Sequence, residues 1–218
     1  MSKDELDVAS SEGLIAKQPQ TTFSQVGDKN IQIAHAERVN NFIILPMVTR
    51  TANNPALLSN LRLNTDYYNL FVIGEEVFDG SPFIVPRDRA LTESTEPDIK
   101  AKYATLSEEA IEQIKTFPAL FASENRAYAR TDNDHVAFFG VVTDVKKQDN
   151  GIKIYYSLIS PLQQQRLNEL TFKLAIGGTS SFNELNRTHW AIKRINLWEE
   201  LTLAGLIGNA SPIQGGAR

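Results

Sequence analysis

Two stretches of the sequence bring together residue types that could do chemistry. In Asp144-Val145-Lys146 the two-residue period of a strand puts a carboxylate and an ammonium on one face. A metal-dependent nuclease of the PD-(D/E)xK type uses such a pair, with the acid on the metal and the lysine polarising a water. It needs a further acid from a neighbouring strand, for which Glu124 and Asp134 are the candidates. The same charges also suit any strand that ends in a solvated hairpin. The second stretch is Asn186-Arg187-Thr188-His189-Trp190, followed by Lys193 and Arg194. An arginine fork grips a phosphate or carboxylate, a tryptophan stacks on a base, and further cations stand nearby. Against this, Trp190 alternates with Ile192 and reads as core, and Arg187 can fasten the preceding loop to Glu184.

Other constellations are thinner. The three histidines are far apart in sequence and none has HExxH or HxxxH spacing, so a histidine metal cluster is not expected. Asp132-Asn133-Asp134-His135 gathers oxygen and nitrogen ligands but reads better as a polar loop entering a strand. Gly177-Gly178-Thr179-Ser180-Ser181 has the composition of a phosphate loop, yet it lacks the Walker lysine and follows a helical pattern instead of opening one. The chain has no cysteine, which removes disulfides, thiolate nucleophiles and cysteine metal sites. No cofactor is expected.

The elements that must position these residues are legible between residues 105 and 206. Val136 to Lys147 and Ile152 to Ile159 are β-prone runs on either side of Gln148-Asp149-Asn150-Gly151, a hairpin signal because Asn and Gly tolerate positive φ. Ser160, Pro161 and Gln163 form a capping pattern that predicts a helix running to Leu174, with Leu162, Leu170 and Leu174 toward the sheet and Gly177 and Gly178 at its end. Thr188 to Ile195 reads as a strand with Trp190 and Ile192 on one face and His189 and Lys193 on the other. Asn196 with Glu199 caps a helix carrying Leu197, Leu201 and Ala204, and Thr105 with Glu108 opens another carrying Ala110, Ile111, Ile114 and Phe117. That helix leads into a strand from Ala119 to Ser123. Residues 66 to 73 and 41 to 48 are further strand candidates. The order is α+β, with a mixed, mostly antiparallel sheet or a partly open small β-barrel, a long hairpin and three capped helices.

At 218 residues, with 42% hydrophobic and 22% charged residues, the chain is long enough to bury a sizeable core. The net charge of −4 argues against bulk attraction to nucleic acid. Its distribution is uneven: residues 1–150 carry 15 Lys and Arg against 22 Asp and Glu, and residues 151–218 carry 7 against 4. A basic final third is where an anionic ligand or nucleic acid would be drawn. No apolar run approaches membrane-spanning length, and residues 1–20 are polar and acidic where a signal peptide would be basic then apolar, so the expectation is a cytoplasmic protein that does not engage a membrane.

The N-terminal part divides into a disordered leader over 1–20 and a β-ribbon with linker over 21–64, ahead of a main domain over 65–207 and a tail over 208–218. Within 23–39, a strand, the turn Val26-Gly27-Asp28-Lys29-Asn30 and the strand residues Ile31 and Ile33 form a ribbon too small to stand alone. It must dock on the main domain or self-associate with another copy. Residues 49–64, with Asn53-Asn54-Pro55, read as a polar connection and a boundary near residue 60.

Three strings, Phe23-Ser24-Gln25-Val26-Gly27-Asp28-Lys29-Asn30-Ile31-Gln32-Ile33, Asn150-Gly151-Ile152-Lys153-Ile154-Tyr155 and Glu184-Leu185-Asn186-Arg187-Thr188-His189-Trp190, together resemble uncharacterised bacterial proteins found around mobile elements and phage-defence loci. The resemblance implies a bacterial sensor or adaptor, and carries over no site residue. The expectation is therefore a non-enzymatic binding module recognising an anionic ligand, nucleic acid or protein partner through Asn186, Arg187, His189, Trp190, Lys193 and Arg194. The alternative is the nuclease built on Asp144, Lys146 and Glu124.

Overall fold

The computed structural model describes residues 32–33, 37–39, 42–51, 54–92, 94–179 and 181–208. The expected leader, the 23–31 part of the ribbon and the tail from residue 209 lie outside the described residues.

Strands β1 (Gln32–Ile33), β2 (Glu37–Val39), β3 (Phe42–Thr51) and β4 (Asn54–Asn64) make a first sheet around β3. β3 pairs antiparallel with β4 along most of its length, and with β1 and β2 toward its two ends. The ribbon thus finds a strand partner in its own chain. Residues 54–64 are a strand, not the polar connection expected. Pro55, which helped suggest a linker, lies opposite the register break between Thr49 and Thr51, the kind of irregularity where a strand admits proline.

The main sheet follows from β5 (Tyr68–Val72), β6 (Phe83–Val85), β7 (Pro118–Ala122), β8 (Val136–Gln148) and β9 (Gly151–Gln163). After a small hairpin of β10 (Gly178–Thr179) and β11 (Phe182–Asn183), β12 (His189–Lys193) completes it. The order is β12-β5-β7-β8-β9-β6, antiparallel except for β5 against β7. Leaving β6 at one edge, the chain turns through Arg87–Arg89 and at Ala90 bridges Trp190 on the opposite edge strand, with Leu91 N donating to Trp190 O at 2.8 Å. Two edges that five residues can join must curl toward each other, so the sheet is a partly open barrel within an α+β fold.

The strand period sorts side chains onto two cores. Phe71, Phe83, Phe121, Tyr156, Trp190 and Ile192 fill the concave side, where helices α1 (Pro97–Tyr103) and α2 (Glu108–Thr116) add Ile99, Tyr103 and Ile114. Leu70, Val72, Leu120, Phe139 and Ala191 face the other side, covered by α3 (Gln164–Glu169) and α4 (Leu197–Leu203). The sheet is therefore buried on both faces over β5, β7 and β12.

Several local expectations change. The hairpin is present, but only Gly151 has positive φ; a Cβ there would also meet Val85 O at 2.6 Å, so β6 can lie alongside only a glycine. The helix expected from Pro161 starts at Gln164, because residues 160–163 continue β9 opposite Val136 to Phe139. Pro161 tolerates this since β6 pairs with β9 only at Ile152 to Ile154 and leaves that edge open. Leu162 and Leu174 still reach the core. The α2 cap is Ser107, whose hydroxyl accepts from Ala110 N at 3.2 Å, not Thr105. Asn196 caps α4 as expected. α1, with Pro97 in its first turn and no side-chain cap, is a fourth helix.

Candidate functional site

The site begins with the strand period of β12. Because Trp190 and Ile192 point to the concave core, His189 and Lys193 must emerge on the other face, and the 3-10 turn Glu184–Asn186 brings Glu184 to meet both. Glu184 Oε1 accepts from Lys193 Nζ at 2.5 Å, and its Oε2 lies 3.2 Å from His189 Nε2. The Lys193 ammonium also donates to Ser94 O at 2.7 Å. The three side chains are only 14%, 9% and 4% exposed for Glu184, Lys193 and His189, so the ion pair is held largely out of water.

The opposite nitrogen of His189, Nδ1, lies 2.8 Å from Arg187 O. Both ring nitrogens therefore face oxygen atoms, which fixes the orientation of the ring. The Tyr68 hydroxyl, which donates to Leu174 O at 2.6 Å, is held well above its ordinary ionisation range by burial and by the charge of Glu184.

The segment after the Ala90 bridge walls the site. Thr95 Oγ1 accepts from Ile192 N at 3.3 Å, and Thr95 N donates to Thr92 O at 3.2 Å, which holds Thr95 against the edge of β12 before α1 begins. Between this segment, Ala175 and Glu184 is a cavity of about 780 Å³. Glu184 and Lys193 form its charged floor, Thr92, Ser94 and Thr95 one wall, and Lys100 and Arg194 its cationic rim, with Glu96 the opposing acid. Arg194 is paired with Asp98, and that hydrogen bond holds the Asp98 carboxyl below its ordinary range.

The structure brings together three of the residues singled out in sequence: Lys193 on the floor, His189 behind it and Arg194 on the rim. Others are placed differently. Trp190 is fully buried, stacked on Phe71 at 5.4 Å between ring centroids and donating to Asn69 Oδ1 at 3.2 Å, so it presents no face to a base. Asn186 is committed to its neighbours: Oδ1 accepts from Asn183 N at 3.1 Å and Nδ2 donates to Ala127 O at 3.0 Å. Arg187 contributes its carbonyl to His189, and Glu184 is met by Lys193 and His189. Ser94 and Lys100 were not singled out in sequence, and Glu184 only as a partner for Arg187. Ser94 and Lys193 are 99 residues apart, and no local spacing announces that contact.

The nuclease constellation does not assemble. Asp144 pairs with Lys146 at 3.6 Å, both partly exposed, and accepts from Val145 N at 2.9 Å. Glu124 follows the end of β7, whose Phe121 pairs with Phe138, whereas Asp144 lies toward the hairpin end of β8. Six residues of strand from Phe138 to Asp144 span about 20 Å. Glu124 is occupied in accepting from Thr188 N and Thr188 Oγ1, at 2.5 and 2.6 Å. Asp134 precedes β8 at the same far end as Glu124, in a loop where His135 bonds Thr131 and Arg126 pairs with Asp132. Among the described residues no three His, Asp or Glu gather where they could hold a metal ion. The Gly177–Ser181 stretch contributes to the β10–β11 hairpin.

Among the described residues no helix is long and apolar enough to cross a membrane. Comparison with protein-family models, with curated proteins and with solved structures gave no match, so the functional reading rests on the site itself.

Proposed function

We propose that this protein is a non-enzymatic binding module whose recognition site is the cavity over Glu184 and Lys193, and whose ligand carries a carboxylate or phosphate. The observation that supports this is the placement of Lys193. An ammonium has three N–H donors. Two are taken by Glu184 and Ser94, and among the described residues the third has no acceptor. Holding an ammonium largely out of water is unfavourable unless every donor is used, so an acceptor entering the cavity gains a charge-assisted hydrogen bond already oriented.

The surroundings suit an anion. On the floor Glu184 stands between Lys193 and His189. Lys100 and Arg194 bring positive charge to the rim, where Arg194 is shared with Asp98 and Glu96 opposes it, while the hydroxyls of Thr92 and Ser94 offer neutral contacts. A volume of about 780 Å³ takes a metabolite-sized molecule and excludes a duplex. Such a site would serve a bacterial sensor or adaptor in defence or mobile-element biology, the setting that the sequence resemblance implies.

Native mass spectrometry of protein purified without refolding tests the reading. An adduct of fixed mass, released on denaturation and reduced in Lys100→Ala, is the expected spectrum. Bare protein mass together with no adduct on adding phosphate or small dicarboxylates would remove the proposal.

A further inference from the structure

We propose a second recognition site: the cavity between the Asn64 to Tyr67 turn and helices α1 and α2 binds an organic cation, a guanidinium or alkylated ammonium, against the ring of Tyr67. The cavity measures about 570 Å³. Its backing is a mutual cluster of three rings: Tyr67 meets Tyr103 edge-on at 6.2 Å and Phe117 at 5.4 Å, and Tyr103 meets Phe117 edge-on at 5.5 Å. Tyr103 and Phe117 are almost fully buried and Tyr67 is half-buried, so Tyr67 is the ring most open to a ligand. Asp66, Glu109 and Glu112 line the same space, Glu112 being paired with Lys115 at 2.7 Å. Ring faces carry negative potential and so do these carboxylates, which makes the cavity complementary to positive charge spread over an apolar group.

The chain's own cations already report this preference. Lys102 places its ammonium 5.0 Å from the Tyr103 ring centroid, and the Arg194 guanidinium lies 5.9 Å from that of Tyr67. The Lys102 ammonium is held more basic than an ordinary lysine, chiefly by its contact with the Tyr103 hydroxyl and also by the charge of Glu109. Lys102 is thus an internal occupant that an incoming organic cation displaces.

Removing Lys102, a residue that lines the site, should strengthen binding. Isothermal calorimetry on the full chain would use tetramethylammonium, acetyl-arginine-amide and a short arginine-containing peptide as probes, with sodium as control. Saturable binding of at least one organic probe, and none of sodium, is expected; the peptide outperforming the free compounds assigns the cation to a protein partner, and the reverse assigns it to a small molecule. Lys102→Met should tighten binding about two- to five-fold, and Tyr67→Leu should weaken it by at least about five-fold, with circular dichroism confirming the fold. Equal response to sodium, no saturable binding by any probe, or weaker binding in Lys102→Met would overturn the proposal. Tyr67 also carries Arg194 of the anion cavity's rim, so the Lys102→Met outcome, at a residue that neither lines that cavity nor touches Arg194, is the readout separate from the anion site.

Discussion

Glu184 holds the Lys193 ammonium at 2.5 Å in a setting where both side chains are largely buried. Removing one partner of a buried pair strands the other charge, whereas removing both replaces a desolvated pair with apolar packing. Lys193→Met should therefore destabilise the protein by about 3–5 kcal/mol, while Glu184→Leu with Lys193→Met should come within about 1–2 kcal/mol of the native chain. Urea denaturation of the two variants measures this. Equal stability of the single and double variants would show that the pair is better hydrated than its burial indicates.

Trp190 makes a contrast with its neighbours on β12. As a fully buried ring stacked on Phe71, it should lose about 3–5 kcal/mol on substitution by Ala. Trp190→Phe keeps the ring stack but leaves Asn69 Oδ1 without its indole donor, adding about 1–3 kcal/mol of unmet polar burial to the lost volume. Thermal unfolding of both variants checks the assignment of this residue to the scaffold.

Gly140 sits at the first register shift of the long hairpin, where a Cβ would lie 2.3 Å from Ser157 O. That contact is with backbone and cannot be relieved by a rotamer change. Gly140→Ala should lower stability by about 1–3 kcal/mol, read from denaturation midpoints, and a neutral result would mean the bulge is free to reshape.

Tyr68 gives the pH dependence. Its ionisation is raised in the folded state by burial and by Glu184, so the stability it contributes is complete below the ordinary tyrosine value of 10.0 and falls as pH rises from there toward the folded value. Tyr68→Phe should flatten the alkaline loss of stability seen in urea titrations, at the expense of about 0.5–1.5 kcal/mol near neutrality from the lost bond to Leu174 O. An unchanged alkaline slope would assign that loss to other groups.

Much of the fold was legible because its signals are local. Alternation on β12 separated Trp190 and Ile192 from His189 and Lys193, and the Asn196 cap marked α4. Two local signals misled for physical reasons. Ser160-Pro161 has the chemistry of a helix start, but extending β9 against Val136 to Phe139 overrides it, and an open strand edge tolerates the proline. α1 is seven residues with two buried side chains, too short for its period to stand out. The site was half legible: Lys193 and Arg194 follow from the strand, but Lys100, the wall and the cavity depend on the segment that crosses to β12 after β6, and Glu184 on a three-residue turn. That crossing depends on the curl of the whole sheet, which no local spacing encodes.

The most direct test of the anion site is amide chemical-shift mapping of the full chain titrated with inorganic phosphate and with glutarate at fixed ionic strength. The account predicts saturable shifts concentrated at Thr92 to Glu96 and Ile192 to Arg194, with affinity lowered about three- to ten-fold in Lys100→Ala and no shift in the Glu184→Leu, Lys193→Met double variant. Linear, unsaturable shifts spread over the basic surface, or saturable shifts that survive in the double variant, would contradict it.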